Sequence, residues 1–331
     1  MFNRSLVPIL LLLMVAFFVW QRQPAEDSLL SRTALVMGTL VEIKAYGDDR
    51  ELLEQGLDAA FAEMVRLEQL FSTHIPKSEV SRLSAADAPL IVSEETATLL
   101  GLGLKIAQRS DGAFDMGLGK LMPLWGVESD QPQVPEEQSI ALALKGIGPD
   151  SLQISEQQVR KQTPGLQIDL GGIAKGYAVD RAVEKLRQAG IFSAAVNAGG
   201  DIRLLGDRQG QSWRIGIQHP RKAGEIIATL ALQNRAVVTS GDYERYFEQE
   251  GLRYHHLFDP QTGRPARGCQ SVTVVAADAA SADALATAAF VLGPQKGLAL
   301  LERMPDVEGF LIAADGSKLA TGGLKDILEW H

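Results

Sequence analysis

The chain has 331 residues, 46% hydrophobic and 22% charged, a balance that suits a globular protein with a large core and excludes disordered and fibrous classes. Its 32 Lys and Arg against 41 Asp and Glu give a formal charge of -9, which argues against a broad nucleic-acid footprint. A basic partner, or an anion neutralised by a metal, stays compatible with that charge.

Residues 1–27 read as an export segment: Arg4 precedes an apolar stretch from Leu6 to Trp20, and a polar segment from Gln21 follows. Spanning a bilayer takes about 17–25 residues, so a cleaved signal peptide and a retained signal anchor both stand, with a buried first helix of a cytoplasmic protein as the blander reading. Ser31 to Ala45 has strand composition, interrupted at Met37-Gly38-Thr39, a glycine site that would admit close backbone approach. Leu53, Leu57, Ala60, Phe61, Met64, Leu67 and Phe71 recur at helical spacing and predict a helix over 50–71, ended by the segment Ser72 to Pro76 that holds His74. A second helix is expected from about Ser93 to Ser110, turned by Asp111-Gly112-Ala113-Phe114-Asp115. Glu128 to Glu137 reads as a surface loop.

Beyond it the pattern alternates. A strand is expected over Leu166 to Leu170, a helix over Lys175 to Gly190, and a strand over Ala194 to Val196 ending in Asn197-Ala198-Gly199-Gly200-Asp201. Further strands are expected at Trp213 to Ile217, Ile226 to Leu232, Arg235 to Thr239, Ser271 to Ala276 and Glu308 to Ala313. Helices are expected at Ala280 to Leu292 and Lys296 to Arg303. With no repeat or low-complexity linker, residues 28–331 read as one mixed α/β (α+β) domain, with mixed sheets flanked by helices. The one cysteine, Cys269, excludes an intramolecular disulfide, and its place at the entry of a strand favours a structural role over a nucleophilic one.

Three segments carry chemistry. From Ile168 to Asp180 a strand ending in Asp169 runs into Gly171-Gly172 and then a helix, so free amides, the positive helix end and Lys175 suit a phosphate or pyrophosphate. Glycines there also serve plain tight packing, and the segment is neither a Walker A loop nor a Gly-x-Gly-x-x-Gly fingerprint. Asp283 and Thr287, four apart on an apolar helix, offer two oxygens to a hard cation such as magnesium. The alternative is Asp283 near a helix cap with Thr287 bonded back to a carbonyl one turn earlier. His255 and His256 precede the turn Asp259-Pro260-Gln261-Thr262-Gly263, and a neutral imidazole there would take a proton from an attacking hydroxyl, or else serve structure alone.

Together these segments resemble the ApbE family of FAD:protein FMN transferases. The resemblance rests on Met37 to Thr39, Gly112 to Asp115, Asp169 to Asp180, Asn197 to Asp201, Thr239 to Tyr243, His256 to Pro265 and Ala282 to Ala288, all in family order. It implies an ApbE-type, T-fold-like domain that moves FMN from FAD to a Ser or Thr of a partner protein with release of AMP. It implies FAD contacts at Met37, His74, Ala113, Phe114, Asp115, Asp169, Lys175 and Phe258, and magnesium ligands at Gly172, Asp283 and Thr287. His256 is the candidate base. The implied partners are flavin-accepting subunits of membrane redox complexes, such as the sodium-pumping NADH:quinone oxidoreductase and the Rnf complex. The implied location is the periplasmic side of the inner membrane. Many relatives are lipoproteins, whereas no Cys stands near the apolar stretch here. A magnesium-dependent FAD pyrophosphatase and a non-catalytic FAD-binding protein are the rival readings.

Overall fold

The computed structural model describes residues 28–324 and 326–331; the export segment read over residues 1–27 lies outside them. Strands β1 (Ser28–Val36) and β2 (Thr39–Gly47) pair antiparallel with Val36 opposite Thr39, leaving Met37 and Gly38 as a two-residue turn. Their φ values of 54° and 69° are those of the mirror-image turns that match the twist of paired strands. The single interrupted strand expected over 31–45 is thus two strands, and the interruption reverses the chain.

Helix α1 (Arg50–Phe71) has the expected bounds, starts on an Asp49 cap and buries Leu53, Leu57, Ala60, Met64, Leu67 and Phe71. Smaller elements follow: α2 (Glu79–Ala85), β3 (Leu90–Ile91), the Ser93-capped α3 (Glu94–Arg109), α4 (Leu121–Trp125), α5 (Glu137–Ala143), β4 (Leu152–Ser155) and β5 (Gln158–Lys161). Leu166 to Leu170, expected as a strand, makes only an isolated bridge between Gln167 and Leu118. Its inward Leu166, Ile168 and Leu170 produce the alternation, but Ile168 N–H donates to Ser84 Oγ and Asp169 N–H to the Met116 carbonyl, so no ladder forms.

Helix α6 (Ala174–Gln188) ends in a Schellman motif: Gly190, at φ 86°, donates to the Arg187 carbonyl and Ile191 to the Leu186 carbonyl. Then come β6 (Ser193–Ala198), β7 (Asp201–Leu205), β8 (Trp213–Gln218), β9 (Ile226–Leu232), β10 (Ala236–Gly241), β11 (Tyr246–Gln249), β12 (Leu252–His255), β13 (Phe258–Asp259), β14 (Arg264–Pro265) and β15 (Cys269–Ala276). The chain closes with α7 (Ala279–Leu292), α8 (Pro294–Glu302), β16 (Glu308–Ala313), β17 (Lys318–Ala320) and β18 (Leu328–Trp330).

Eight strands form the main sheet in the order β1-β2-β6-β7-β10-β15-β16-β17, each antiparallel to its neighbours. One face packs Val41, Ile43, Val196, Val238, Val272 and Val274 beneath α1, α6 and α7. The other packs Leu204, Val237, Val275, Phe310 and Ile312 against Trp213, Ile217 and Leu230 of the three-stranded sheet β18-β9-β8. Strand β15 is covered on both faces, and all eight of its residues are buried, Cys269 included. Burial pushes the Cys269 thiol up to about 12, which fits a structural cysteine. Among the described residues no helix is long and apolar enough to cross a membrane.

Candidate active site

The helical layer brings two of the three chemical segments together. Helix α7 is rich in alanine, and α6 offers Gly176 at the crossing, where any Cβ would overlap the Ala279 carbonyl. Small residues on both helices therefore let their N-terminal halves touch. Across this contact Asp283 Oδ2 accepts from the Gly176 N–H at 3.2 Å and stands 3.6 Å from Lys175 Nζ. Lys175 Nζ donates to Asp201 Oδ2 at 2.7 Å. Burial and the neighbouring Asp201 push the Asp283 carboxyl well above the usual carboxylate range, against the pull of Lys175 and the Gly176 N–H. Burial disfavours the Lys175 charge, but Asp201 and Asp283 together hold its pKa above the ordinary lysine value.

One turn on, a Cβ placed on Gly172 would lie 3.2 Å from Thr287 Oγ1 and 3.3 Å from Phe114 Cε2. The glycine turn, the α7 hydroxyl and the Phe114 ring therefore border one small space, and Ser240 Oγ is 3.4 Å from Thr287 Oγ1. Asp283 is not a cap: Asp278 fills that place by accepting from the Ser281 N–H, which removes the capping alternative for Asp283. Among the described residues no three or more His, Cys, Asp or Glu side chains form a metal cage. The Asp283 carboxylate and Thr287 hydroxyl beside the Gly172 backbone are hard oxygen donors of the kind magnesium takes.

The rim carries the other candidates. Asp115 is buried; Oδ1 accepts from the Gly117 N–H at 2.6 Å, while Oδ2 has no hydrogen-bond partner in the protein. Burial pushes its carboxyl up, opposed by the Gly117 and Gly148 amides; the latter is near enough to favour the charge without completing a bond to Oδ2. Asp169 Oδ1 accepts from the Gly171 N–H at 2.6 Å, and burial raises its pKa while Arg245 and His74 favour its charge. Exposed His74 is near enough to Asp169 to favour its charge. Half-buried Met37 packs on the main core at the hairpin tip, where Thr39 closes on Gly199, two residues before Asp201.

The two histidines divide. His255 is buried, with Nε2 donating to the Ala266 carbonyl at 2.6 Å and Nδ1 accepting from the Leu257 N–H at 3.2 Å, so both nitrogens are used by the neutral form. His256 lies past the end of β12, with Nδ1 donating to the Arg245 carbonyl at 3.3 Å, which leaves Nε2 as the proton-accepting nitrogen. Burial, with Arg245, His255 and Lys175 adding to it, lowers its pKa to about 3, so the imidazole is neutral. Phe258 is buried and packs 5.9 Å from Trp125 in a separate apolar cluster, apart from the contacts that join Gly172, Asp283 and Thr287. Asp201, Ser240 and Arg245 belong to this neighbourhood as well. Asp201 and Ser240 lie in segments on which the resemblance rested, but neither was singled out as a site residue.

The ApbE family model matches residues 37–311. The chain belongs to the ApbE family. Among similar proteins, the FAD:protein FMN transferase of Treponema pallidum is 34% identical over 317 residues, covering 89% of this chain and 88% of the relative. That of Vibrio cholerae is 36% identical over 294 residues, covering 85% and 86%. The crystal structure of the ApbE protein from Thermotoga maritima matches with a TM-score of 0.84 at 34% identity, covering 91% of this chain and 99% of that one. The flavin transferase ApbE from Vibrio cholerae matches with a TM-score of 0.80 at 31% identity, covering 91% and 99%. The ApbE match begins at the hairpin tip and includes all the segments on which the resemblance rested.

Proposed function

We propose that this chain is an FAD:protein FMN transferase that joins FMN to a Ser or Thr hydroxyl of a partner protein and releases AMP. The observation that carries the reading is the meeting of Gly172, Asp283 and Thr287 beside Lys175 in a chain of the ApbE family. Met37, His74, Ala113, Phe114, Asp115, Asp169, Lys175 and Phe258 bind FAD in this reading, and the unpaired Asp115 Oδ2 gives a buried polar atom for the ligand to satisfy. The Gly172 carbonyl, Asp283 and Thr287 would hold Mg2+, which when bound would neutralise charge on the pyrophosphate.

The protein's own groups then do the following. The acceptor oxygen bonds to the FMN phosphorus as the bond from that phosphorus to the AMP oxygen breaks. The acceptor's proton passes to His256 Nε2. In the free protein His256 is neutral, and an anionic pyrophosphate beside it raises its basicity in the loaded site. Lys175 orients Asp201 through its 2.7 Å bond and favours the charge on Asp283 from 3.6 Å. Residues 1–27 serve as signal peptide or anchor that takes the domain 28–331 to the periplasmic side of the inner membrane, where flavin-accepting subunits of Nqr- and Rnf-type complexes are the partners.

The test is incubation with FAD, magnesium and a candidate acceptor subunit, read by mass spectrometry and by nucleotide release. Covalent FMN on the acceptor, one AMP per adduct, is expected. FMN and AMP without an adduct would mean water is the acceptor; intact FAD would leave a binding protein.

A further inference from the structure

Asp180 lies in the same helix as Lys175, and its carboxylate bonds to the start of α7. Both its oxygens are within 2.9 Å of the Ala279 N–H, and Oδ2 is 2.9 Å from the Ala280 N–H as well. These are orphan donors of the first turn of α7, where the helix dipole adds to the attraction for a carboxylate. In the opposite direction Asp283 of α7 takes the Gly176 N–H in the first turn of α6. Each helix therefore presents a carboxylate to the other's N-terminal amides. Strand β7 braces both halves: Asp201 holds Lys175 at 2.7 Å, and two residues on, Arg203 Nε stands 3.3 Å from Asp180 Oδ1. Asp278 already caps α7 within its own segment, so Asp180 is not needed merely to start the helix.

We infer that Asp180 is a positioning residue: its grip on the Ala279 and Ala280 amides sets the depth and rotation of α7 at which Asp283 and Thr287 meet the Gly172 turn. The inference rests on the reading of that meeting point as a cation site. Loss of an outer partner of a metal ligand typically weakens metal affinity by about 10–100-fold. Asp180→Asn keeps the shape but turns an amide towards two N–H donors and removes the charge.

The test measures half-saturation by Mg2+, by calorimetry and by the magnesium-dependent rise in melting temperature, in the full-length protein. Asp180→Asn is expected to need about 10–100-fold more magnesium than wild type, and Asp180→Glu, which keeps the charge, to recover part of that loss. FAD affinity without magnesium is expected to be unchanged. Asp49→Ala removes a cap of the remote helix α1 and serves as the control for lost stability; its half-saturation is expected to match wild type. Should Asp180→Asn not fold, Asp180→Glu carries the test, with an affinity below wild type expected. Wild-type half-saturation in the folded Asp180 variants, or an equal shift in Asp49→Ala, overturns the inference. A wild-type protein whose magnesium response is absent, or unchanged in Asp283→Ala, instead sinks the cation site itself.

Discussion

Asp283 is 3% exposed, next to a second carboxylate, with one lysine between them. Such a pair is costly to keep ionised in a folded chain without a further cation. Asp283→Asn is therefore expected to raise the melting temperature of the magnesium-free protein while lowering FMN transfer by at least about 10²-fold, the scale of losing one preorganised charge contact. A thermal scan in chelator beside a transfer assay reads both. His256→Ala is expected to reduce transfer by about 10²–10⁴-fold with FAD binding retained, the usual range for one general base. Asp283, Thr287 and His256 were legible in the sequence as chemistry-bearing types at suggestive spacing. The Lys175–Asp201 pair was not, because its members stand 26 residues apart and meet only when β7 passes α6.

At the scale of elements, helices α1, α3, α6, α7 and α8 were readable because each buries one stripe or a run of small residues. Turns were harder. Met37-Gly38 and Gly199-Gly200 each close a two-residue hairpin through positive φ, which in sequence looks like a pause in one strand or the end of another. The stretch before the glycine pair misled in the other direction, since alternation reports burial on one side and says nothing about who accepts the backbone hydrogen bonds. Two glycine variants separate packing from chemistry. Gly176→Ala forces a methyl into the Ala279 carbonyl and is expected to destabilise the fold by about 1–3 kcal/mol, read by urea unfolding. Gly172→Ala meets only side-chain atoms at 3.2–3.3 Å and is expected to fold with near wild-type stability, yet to transfer FMN more slowly by crowding Thr287.

For the whole molecule, the main sheet lies between a helical layer and a small second sheet, and stability depends also on groups buried beside these layers, in the β11–β12 hairpin against Phe290 of α7. His255 is one: burial lowers its pKa from 6.5 to about 4 against the favourable Ala266 contact. The unfolded chain then binds the extra proton between pH 6.5 and 4 and the native chain does not, so stability is full above pH 6.5 and lost as pH falls through that window. His255→Gln removes this linkage. The stability gap between wild type and that variant is expected to narrow by roughly 3 kcal/mol from pH 7 to pH 4, measured by denaturant midpoints.

The single thiol in the buried strand β15 also shapes how the protein can be studied. Shielded on both faces and poorly ionised, it leaves maleimide and nitroxide reagents with no competing target in the native state. One engineered cysteine at Leu35, which is 75% exposed beside the Met37 turn, would thus give a uniquely labelled molecule without first deleting a native residue. A fluorophore there would report changes around the hairpin tip in real time from a single labelled position.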